Sequence, residues 1–495
     1  MQVGFAWLDT RLDTAARQLM GLSGLDIISV GVRRYLIAAG EADGGLSSYE
    51  ILADGSLVAT DDVLFSATSG TQNVRYVTAY AFEGEVFVLP SGRYDDNLTV
   101  YQLDGNGAFT ASQTLTNAGT ANMTLSEVVV VAGNTYLYTA NTTAGLDRFT
   151  ITTGGVLGGQ TLIPDTPQVA LGDVSAMVSA NLQGKDFLFA ASAFDAGISV
   201  FEVGANGGLN PRSLLEPGIV GFNAISSMDT AQIGSRAFLL VGSAETDALL
   251  VFRVSVGGQL KLVDSLIDKS ETRFARISAV ESFEADGRNY VLVGGSDGGI
   301  TLFELDYRGR LNLLAVVEDQ FTTTLTNISD IAVEIIGTDI YVFVSSASEQ
   351  GFTQFQLTLN SGSTYYGGPI PETITGSSGD DTIFGMGRND ILIGNAGNDR
   401  LVDGRGRDIL TGGPGADIFE FIADGRKDVI TDFEPGIDRI DLTDYPMLYS
   451  YLDLDIRSRA DGAAIRIGEE LLWITADDGQ RIDPSSWSQT DFIFS

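Results

Sequence analysis

Cysteine and histidine are both missing from the 495-residue chain. Without cysteine the protein can form neither a disulfide nor a thiolate nucleophile. Without histidine it can build neither a Ser-His-Asp triad nor a histidine-ligated zinc site. Apolar stretches of 18 residues are missing too, so no transmembrane helix is predicted. The lack of cysteine is compatible with export by a route that avoids disulfide formation.

Basic residues are scarce: 29 Lys and Arg stand against 65 Asp and Glu, which gives a formal net charge of −36. Phosphate binding needs a basic surface, so we expect no nucleic-acid partner and no membrane insertion. The opening residues, MQVGFAWLDTRLDT, lack the basic segment and apolar run of a cleaved signal peptide. Hydrophobic residues make up 44% of the chain, which suffices for more than one hydrophobic core.

A repeat of about 51 residues runs through the first part of the chain. Each unit has a short apolar run, such as YLIAAG from Tyr35, and an aromatic residue 13 or 14 positions later. These aromatics are Tyr49, Tyr101, Phe149, Phe201, Phe252, Phe303 and Phe355. In six units a Gly-x-apolar turn follows, with glycines at 55, 107, 155, 207, 258 and 309. Four strands per unit predict a seven-bladed β-propeller over residues 1–360.

The seventh unit lacks the Gly-x-apolar turn, so its outermost strand is predicted to come from the N-terminal QVGFAWLDTRL segment. The unit FLFAAS…GISVFEVGANGGL resembles the lactonase-like seven-bladed propellers. That family contains both lactone hydrolases and pure binding modules, so the resemblance implies a fold and leaves the function open. No catalytic or ligand-binding residue of the propeller is assigned from the sequence.

A second repeat, nine residues long, occupies residues 376–420 in five consecutive copies, and follows the template G-G-x-G-x-D-x-U-x, where U is a large apolar residue. The sixth position holds Asp381, Asp390, Asp399, Asp408 and Asp417. The eighth position holds Ile383, Leu392, Leu401, Leu410 and Phe419. Six glycine-rich residues predict a turn, and three residues predict a short strand whose middle side chain points inward.

Two nonapeptides complete one coil, so residues 18 positions apart are expected to stack. Asp381, Asp399 and Asp417 then form one row, the 381 row, and Asp390 and Asp408 form a second, the 390 row. Stacked carboxylates repel one another unless a cation lies between them. Ca²⁺ suits such a site because it takes six to eight oxygen ligands, including backbone carbonyls. The pairs 381/399, 399/417 and 390/408 predict three sites between turns.

These nonapeptides resemble the RTX parallel β-roll of hemolysins and serralysin-type proteases. The resemblance implies that turn carbonyls also bind calcium, for example those of Gly379, Gly397, Gly406 and Gly415. Two copies depart from the template, with Arg388 and Asp403 at glycine positions. Arg405 and Arg407 also fall beside the 390 row. We therefore expect the 390 row to bind calcium more weakly than the 381 row.

Residues 361–375 are predicted to be a linker, and residues 421–495 a β-rich cap. The segment DVITDFEPGIDRIDL, 428–442, resembles the cap of serralysin-type rolls, and the final TDFIFS resembles the uncleaved signal of type I secretion. Together these features predict an all-β, extracellular calcium-binding protein: a seven-bladed propeller, then a parallel β-roll with a β-rich C-terminal cap.

The predicted role of the propeller is binding or adhesion, with a protein or glycan partner at a cell surface or on an extracellular, for example phage-like, assembly. The alternative is a secreted hydrolase of lactones or related esters that acts in the propeller channel. Carboxylates converging at one mouth of the channel, with bound metal, would favour the enzyme, and a channel lined by neutral side chains would favour binding.

Overall fold

The computed structural model describes residues 3–14, 19–41, 44–65, 74–92, 97–116, 123–141, 145–182, 184–193, 195, 197–216, 224–359, 362–445 and 447–494. The chain divides into two compact units, one formed mainly by Val3–Ala285 with Asn289–Thr358 and the other by Leu359–Ser495. Helix in the described residues is limited to single 3-10 turns at Thr153–Gly155, Tyr451–Asp453, Pro484–Ser486 and Gln489–Asp491. None of these could span a membrane.

The first unit contains, among the described residues, seven antiparallel sheets of four strands. Its strands begin with β1 (Gly4–Arg11), β2 (Leu22–Val30), β3 (Arg33–Gly40), β4 (Gly45–Ile51), β5 (Leu57–Leu64), β6 (Val74–Phe82), β7 (Glu85–Gly92), β8 (Asn97–Leu103) and β9 (Phe109–Thr116). The middle strands are β10 (Met123–Val131), β11 (Asn134–Asn141), β12 (Gly145–Thr152), β13 (Val156–Pro164), β14 (Val174–Leu182), β15 (Lys185–Ser192), β16 (Gly197–Val203) and β17 (Leu209–Leu215). The last are β18 (Ile225–Ile233), β19 (Arg236–Ser243), β20 (Ala248–Val254), β21 (Leu260–Ile267), β22 (Ala279–Ala285), β23 (Arg288–Gly294), β24 (Gly299–Leu305), β25 (Leu311–Glu318), β26 (Ile328–Ile336), β27 (Asp339–Ser346) and β28 (Phe352–Thr358).

Six sheets take four consecutive strands each, and the seventh has the order β1-β28-β27-β26. The first strand of each blade contacts the first strands of the two neighbouring blades, so β2, β6, β10, β14, β18, β22 and β26 form a closed inner ring. The predicted seven-bladed propeller is therefore confirmed. The N-terminal strand β1 pairs with β28, with Gly4 opposite Thr358, and the predicted closure of the seventh blade is also confirmed. Pairing the two ends in one blade removes an exposed sheet edge.

The repeated glycines have a packing role that the sequence spacing did not explain. A β-carbon added at Gly55, Gly107, Gly155, Gly207, Gly258 or Gly309 would lie 3.0 Å or less from an aromatic ring. In each case the ring stands at the start of the second strand of the preceding blade: Tyr341, Tyr35, Phe87, Tyr136, Phe187 and Phe238, respectively. Successive blades thus pack ring against backbone. The aromatic series predicted at the third strand is buried as well, from Tyr49 to Phe355.

Replacing Gly207 by alanine tests this contact. Gly207 has φ +70°, and its added β-carbon would lie 2.6 Å from the Tyr136 ring. We expect a loss of about 2–4 kcal/mol in the free energy of unfolding, from backbone strain plus overpacking. Gly234→Ala is the matched control, because Gly234 has φ +58° with nothing within 4 Å of the added atom. Chemical denaturation that gave equal losses for both variants would contradict the packing role.

The second unit consists of two sheets of short strands. Its strands are β29 (Thr364–Tyr366), β30 (Thr373–Thr375), β31 (Thr382–Phe384), β32 (Ile391–Ile393), β33 (Arg400–Val402), β34 (Ile409–Thr411), β35 (Ile418–Glu420), β36 (Lys427–Phe433), β37 (Arg439–Asp441), β38 (Asp455–Arg459), β39 (Gly462–Ile467), β40 (Glu470–Ala476) and β41 (Phe492–Ile493). One sheet has the order β29-β31-β33-β35-β37-β41 and the other β30-β32-β34-β36-β40-β39-β38. The nonapeptide strands alternate between the sheets and pair in parallel, which confirms the predicted β-roll with its β-rich cap.

Residues 361–375, predicted from the sequence as a linker, contain β29 and β30, the first strand of each sheet. The sequence hides this because the segment has the strand triplets, but Ser363 and Glu372 stand where the template has its sixth-position aspartate. Inside the roll the eighth-position side chains form an apolar ladder. Ile383, Leu392, Leu401, Leu410 and Phe419 are all 0% exposed. Burying such a side chain contributes roughly 1.5–3 kcal/mol, which offsets the cost of ordering the turns.

Candidate metal centre

The sixth-position aspartates stand directly before the nonapeptide strands, where each turn enters its sheet. Parallel pairing places Thr382 opposite Arg400 and Ile391 opposite Ile409, each 18 residues apart. The preceding aspartates are therefore stacked in the two rows that the period predicts. The side chains of all five aspartates are buried, with each residue 1% exposed.

One oxygen of each carboxylate is held by the backbone of the coil before it. The Asp381 N–H donates to Oδ1 of Asp399 at 2.7 Å, and the Asp399 N–H donates to Oδ1 of Asp417 at 2.8 Å. In the other row the Asp390 N–H donates to Oδ1 of Asp408 at 2.6 Å. These bonds fix the orientation of each carboxylate before any ion binds.

In four of the five aspartates the second oxygen is buried and has no hydrogen-bond partner among the described residues. These atoms are Oδ2 of Asp390, Asp399, Asp408 and Asp417. Leaving a charged oxygen buried without a partner is costly, so each of these atoms is suited to bind a cation. Asp381 differs, because its Oδ2 accepts hydrogen bonds from the backbone and hydroxyl of Ser377. The first turn of the 381 row thus already satisfies its carboxylate.

The surroundings of these carboxylates oppose ionisation in the absence of a cation. Burial raises the pKa of Asp399 to about 6, of Asp408 to about 7 and of Asp417 to about 8. Hydrogen bonds from the preceding coil lower each pKa, and neighbouring carboxylates raise it further. A divalent cation would reverse this balance by stabilising the ionised form.

The glycines at position four allow the coils to stack at backbone distance. A β-carbon on Gly397, which has φ +131°, would lie 2.5 Å from the carbonyl oxygen of Gly379. One on Gly415 would lie 1.8 Å from the carbonyl oxygen of Gly397. The turn carbonyls therefore run along the stack, where they could serve as the neutral oxygen ligands that Ca²⁺ accepts. Carboxylate and carbonyl oxygens without softer donors fit this ion.

The 390 row has a different turn surface. Arg388 takes φ +96° at a glycine position, a conformation that costs a side-chain-bearing residue about 1–3 kcal/mol. Its carbonyl oxygen faces Gly406, where an added β-carbon would lie 1.7 Å away. Arg388, Arg405 and Arg407 are exposed and line a cleft of about 1350 Å³ on the turn side. The guanidinium groups are thus on the surface, while the aspartates are buried.

Two further aspartates extend the rows beyond the predicted residues. The Asp408 N–H donates to Oδ1 of Asp428 at 2.8 Å, and the Asp417 N–H donates to Oδ1 of Asp438 at 2.9 Å. Extra residues lengthen the spacing from 18 to 20 and 21 positions. A search at a strict period of nine misses both. The signal that finds them is the triplet Asp-x-Ile, which recurs at 428–430 and 438–440.

Sequence comparison agrees with this geometry. Residues 366–401 and 384–419 match the RTX calcium-binding nonapeptide repeat. The matched segments cover all five stacked aspartates. Calcium binding by the roll is therefore supported both by family and by the orphaned oxygens. No curated protein matches the sequence with significance.

Two solved structures share a distant likeness with the chain. BBS1N in complex with ARL6DN, soaked with mercury, is 12% identical, covers 72% of this chain and 98% of its own, and has a TM-score of 0.48. A protein from Lactobacillus plantarum is 14% identical, covers 60% of this chain and 85% of its own, and has a TM-score of 0.47. Seven four-stranded sheets, rather than these likenesses, identify the propeller.

A second set of acids, all half-buried, lies on the inner ring of the propeller. Its members are Asp26, Glu127, Asp229, Glu281 and Asp330, on the first strands of five blades. Four of them accept a backbone N–H from the next blade. The donors are Ala79 for Asp26 at 2.6 Å, Ser179 for Glu127 at 3.0 Å, Ser282 for Asp229 at 2.6 Å and Leu25 for Asp330 at 2.8 Å. Each of these acids therefore clamps two blades together.

Glu281 is the exception, because its side chain makes no hydrogen bond among the described residues. Burial raises its pKa well above the usual value, and the nearby carboxylates of Asp229, Asp330 and Asp26 raise it further. Burial also raises the pKa of Asp26, Glu127 and Asp330 to about 7 in each case. The inner ring thus holds acids that resist ionisation, a feature that no spacing in the sequence revealed.

The acids that accept a backbone N–H from the next blade make the stability of the propeller depend on pH. Asp26 has a folded pKa of about 7, above its unfolded value of 3.8, so the folded state binds the extra proton between these values. The stabilising contribution of Asp26 is then fully present below about pH 4 and is lost as the pH rises through 7. We expect Asp26→Asn, which stays neutral, to raise the thermal unfolding temperature at pH 8 in chelator and to leave it nearly unchanged at pH 4.

Asp54→Asn is the control for this comparison. Hydrogen bonds from Ser56 lower the pKa of the exposed Asp54 carboxyl, so neutralising it brings no gain at pH 8. Equal effects of the two substitutions at both pH values would show that general charge reduction, rather than burial of Asp26, controls stability.

Proposed function

We propose that the chain is a secreted calcium-binding protein whose roll folds on Ca²⁺ outside the cell and whose propeller is a binding module. The observation that carries the calcium part is the set of four buried, unpartnered Oδ2 atoms in the stacked rows. Asp390, Asp399, Asp408 and Asp417 would hold the ions together with turn carbonyls such as those of Gly379, Gly397, Gly406 and Gly415. The ions would neutralise carboxylates that otherwise repel one another.

Export and folding fit together in this proposal. Sites with dissociation constants of about 10⁻⁴–10⁻³ M are empty at cytosolic calcium and filled outside the cell. Binding to the folded state alone then drives folding of the roll by mass action. The acidic composition and the RTX-type repeats support an extracellular location.

The recognition role rests on the propeller. A positively charged group beside the inner-ring acids would favour their ionised form, so the ligand that the ring suits best carries positive charge, such as an amine or a basic side chain. A cell-surface or extracellular protein or glycan with amino groups meets this requirement. Nucleic acid does not, because phosphate and carboxylate repel each other.

Calcium titration of the full chain tests the proposal. Addition of Ca²⁺ is expected to increase strand content by circular dichroism and to stabilise the roll, by about 2.7 kcal/mol at one hundred times the dissociation constant. Asp399 lies between Asp381 and Asp417, so Asp399→Asn should remove most of this gain. Asp478→Asn, at an exposed turn acid of the same unit, should keep it. Identical spectra and unfolding temperatures of the wild-type chain in calcium and in chelator would refute calcium-dependent folding.

A second candidate function is hydrolysis of lactones or related esters in the channel. The carboxylates on the inner ring support it, since Glu281 makes no hydrogen bond among the described residues and its raised pKa would make its ionised form a stronger base. If Glu281 is the base, Glu281→Gln should lower turnover of a small lactone by about 10²–10⁴-fold, while Asp54→Asn leaves it unchanged. A wild-type chain without turnover above buffer would exclude the hydrolase.

A further inference from the structure

Three carboxylates meet at the C-terminal end of the 390 row. Oxygens of Asp403, Asp408 and Asp428 all lie within 4.8 Å of one another. Among the described residues, this is the one group of three acidic side chains whose oxygens lie so close together. Each of the three residues is 1% exposed, so water cannot screen their mutual repulsion.

Three different parts of the fold supply these side chains. Asp403 is the first residue of its nonapeptide and Asp408 is the sixth, while Asp428 comes from β36, which pairs in parallel with β34. Oδ1 of Asp403 accepts a hydrogen bond from the Ile422 N–H at 2.9 Å, which holds the side chain inward. Oδ1 of Asp428 accepts from the Asp408 N–H at 2.8 Å. The convergence is therefore fixed by backbone contacts.

A comparison with the next nonapeptide shows what Asp403 adds. There the first residue is Gly412, and a β-carbon on it would lie 2.1 Å from Oδ2 of Asp417. The first position of a nonapeptide thus faces the unpartnered oxygen of its own aspartate. An acid at this position places a second carboxylate beside that oxygen, and in this copy Oδ2 of Asp408 has no hydrogen-bond partner.

Nearby basic side chains do not neutralise the group. The ion pairs among the described residues do not include Asp403, Asp408 or Asp428. Arg405 and Arg407 are adjacent in sequence but exposed. Two opposite ligands of one Ca²⁺ are separated by about 5 Å, twice the ordinary calcium–oxygen distance of roughly 2.4 Å. Three oxygens that lie within 4.8 Å of one another are therefore close enough to contact a single ion.

We propose that Asp403, Asp408 and Asp428 bind one calcium ion in a three-carboxylate site that closes the 390 row. The inference rests on calcium binding by the roll and goes beyond it, since it assigns a ligand role to a residue that breaks the repeat. It also reverses the expectation from sequence. Calcium affinity rises with the number of charged ligands, so Asp403 strengthens the row that its loss of glycine was expected to weaken.

The test is a calcium titration of the full chain, with ion stoichiometry measured by equilibrium dialysis and affinity by calorimetry. Asp403→Asn keeps the shape and the acceptor for the Ile422 N–H but removes the charge. We expect it to bind one ion fewer, or to bind one ion at least tenfold more weakly, with the other sites unchanged. Asp478→Asn should bind like the wild type.

Asp403→Gly separates the proposal from the simpler reading of Asp403 as a defect in the repeat. If Asp403 is a ligand, restoring the template glycine also loses the ion. Tighter or unchanged binding by Asp403→Gly, or unchanged binding by Asp403→Asn, overturns the proposal. Should either variant fail to regain wild-type circular dichroism at saturating calcium, Asp428→Asn decides by the same two measurements.

Calcium binding by the roll as a whole is tested separately, with Asp399→Asn. Loss of ions in Asp399→Asn together with normal binding in Asp403→Asn leaves the calcium-binding roll intact and refutes only the three-carboxylate site. A wild-type chain that binds no calcium refutes both.

Discussion

Close contact between successive repeats, at points where a side chain must be absent, determines the spacing of both units. In the propeller, Gly207 lets the Tyr136 ring of the preceding blade pack against backbone. In the roll, Gly397 lets the carbonyl of Gly379 approach from the preceding coil. Neither a blade nor a coil can bury its apolar face alone, so stability depends on neighbours that approach this closely. The glycines are therefore the residues that convert a sequence period into a spatial repeat.

The same chain uses its desolvated carboxylates in two ways. On the inner ring of the propeller, Asp26 and Asp330 accept backbone N–H groups from the next blade, and these bonds satisfy the side chain by joining repeats. In the roll, Asp399 also accepts a backbone N–H from the neighbouring coil, but its second oxygen has no partner. A carboxylate that is only half satisfied needs a cation, whereas a carboxylate that is protonated or fully bonded does not. This difference separates the acids that join blades from the acids proposed as metal ligands.

Much of the fold was predictable because both periods are strict. The 51-residue repeat gave seven blades, and the N-terminal strand was assigned to the seventh blade because that unit lacked its last turn. The nine-residue repeat gave the two aspartate rows and the apolar ladder from Ile383 to Phe419. Residues 364–375 were missed because they keep the strand triplets but lack the sixth-position aspartate, and Asp438 was missed because it keeps the triplet at a longer spacing.

The sequence alone determined the architecture, the identity of the repeated aspartates and the kind of ion they suit, because those properties are local and recur at a fixed period. Tertiary structure decided which oxygens are left without partners, since that depends on which backbone N–H groups the neighbouring coil supplies. It also brought Asp428 to Asp403 and Asp408, and placed Glu281 near the acids of other blades. These groups come from different repeats at unequal spacing, so only the folded chain makes them neighbours.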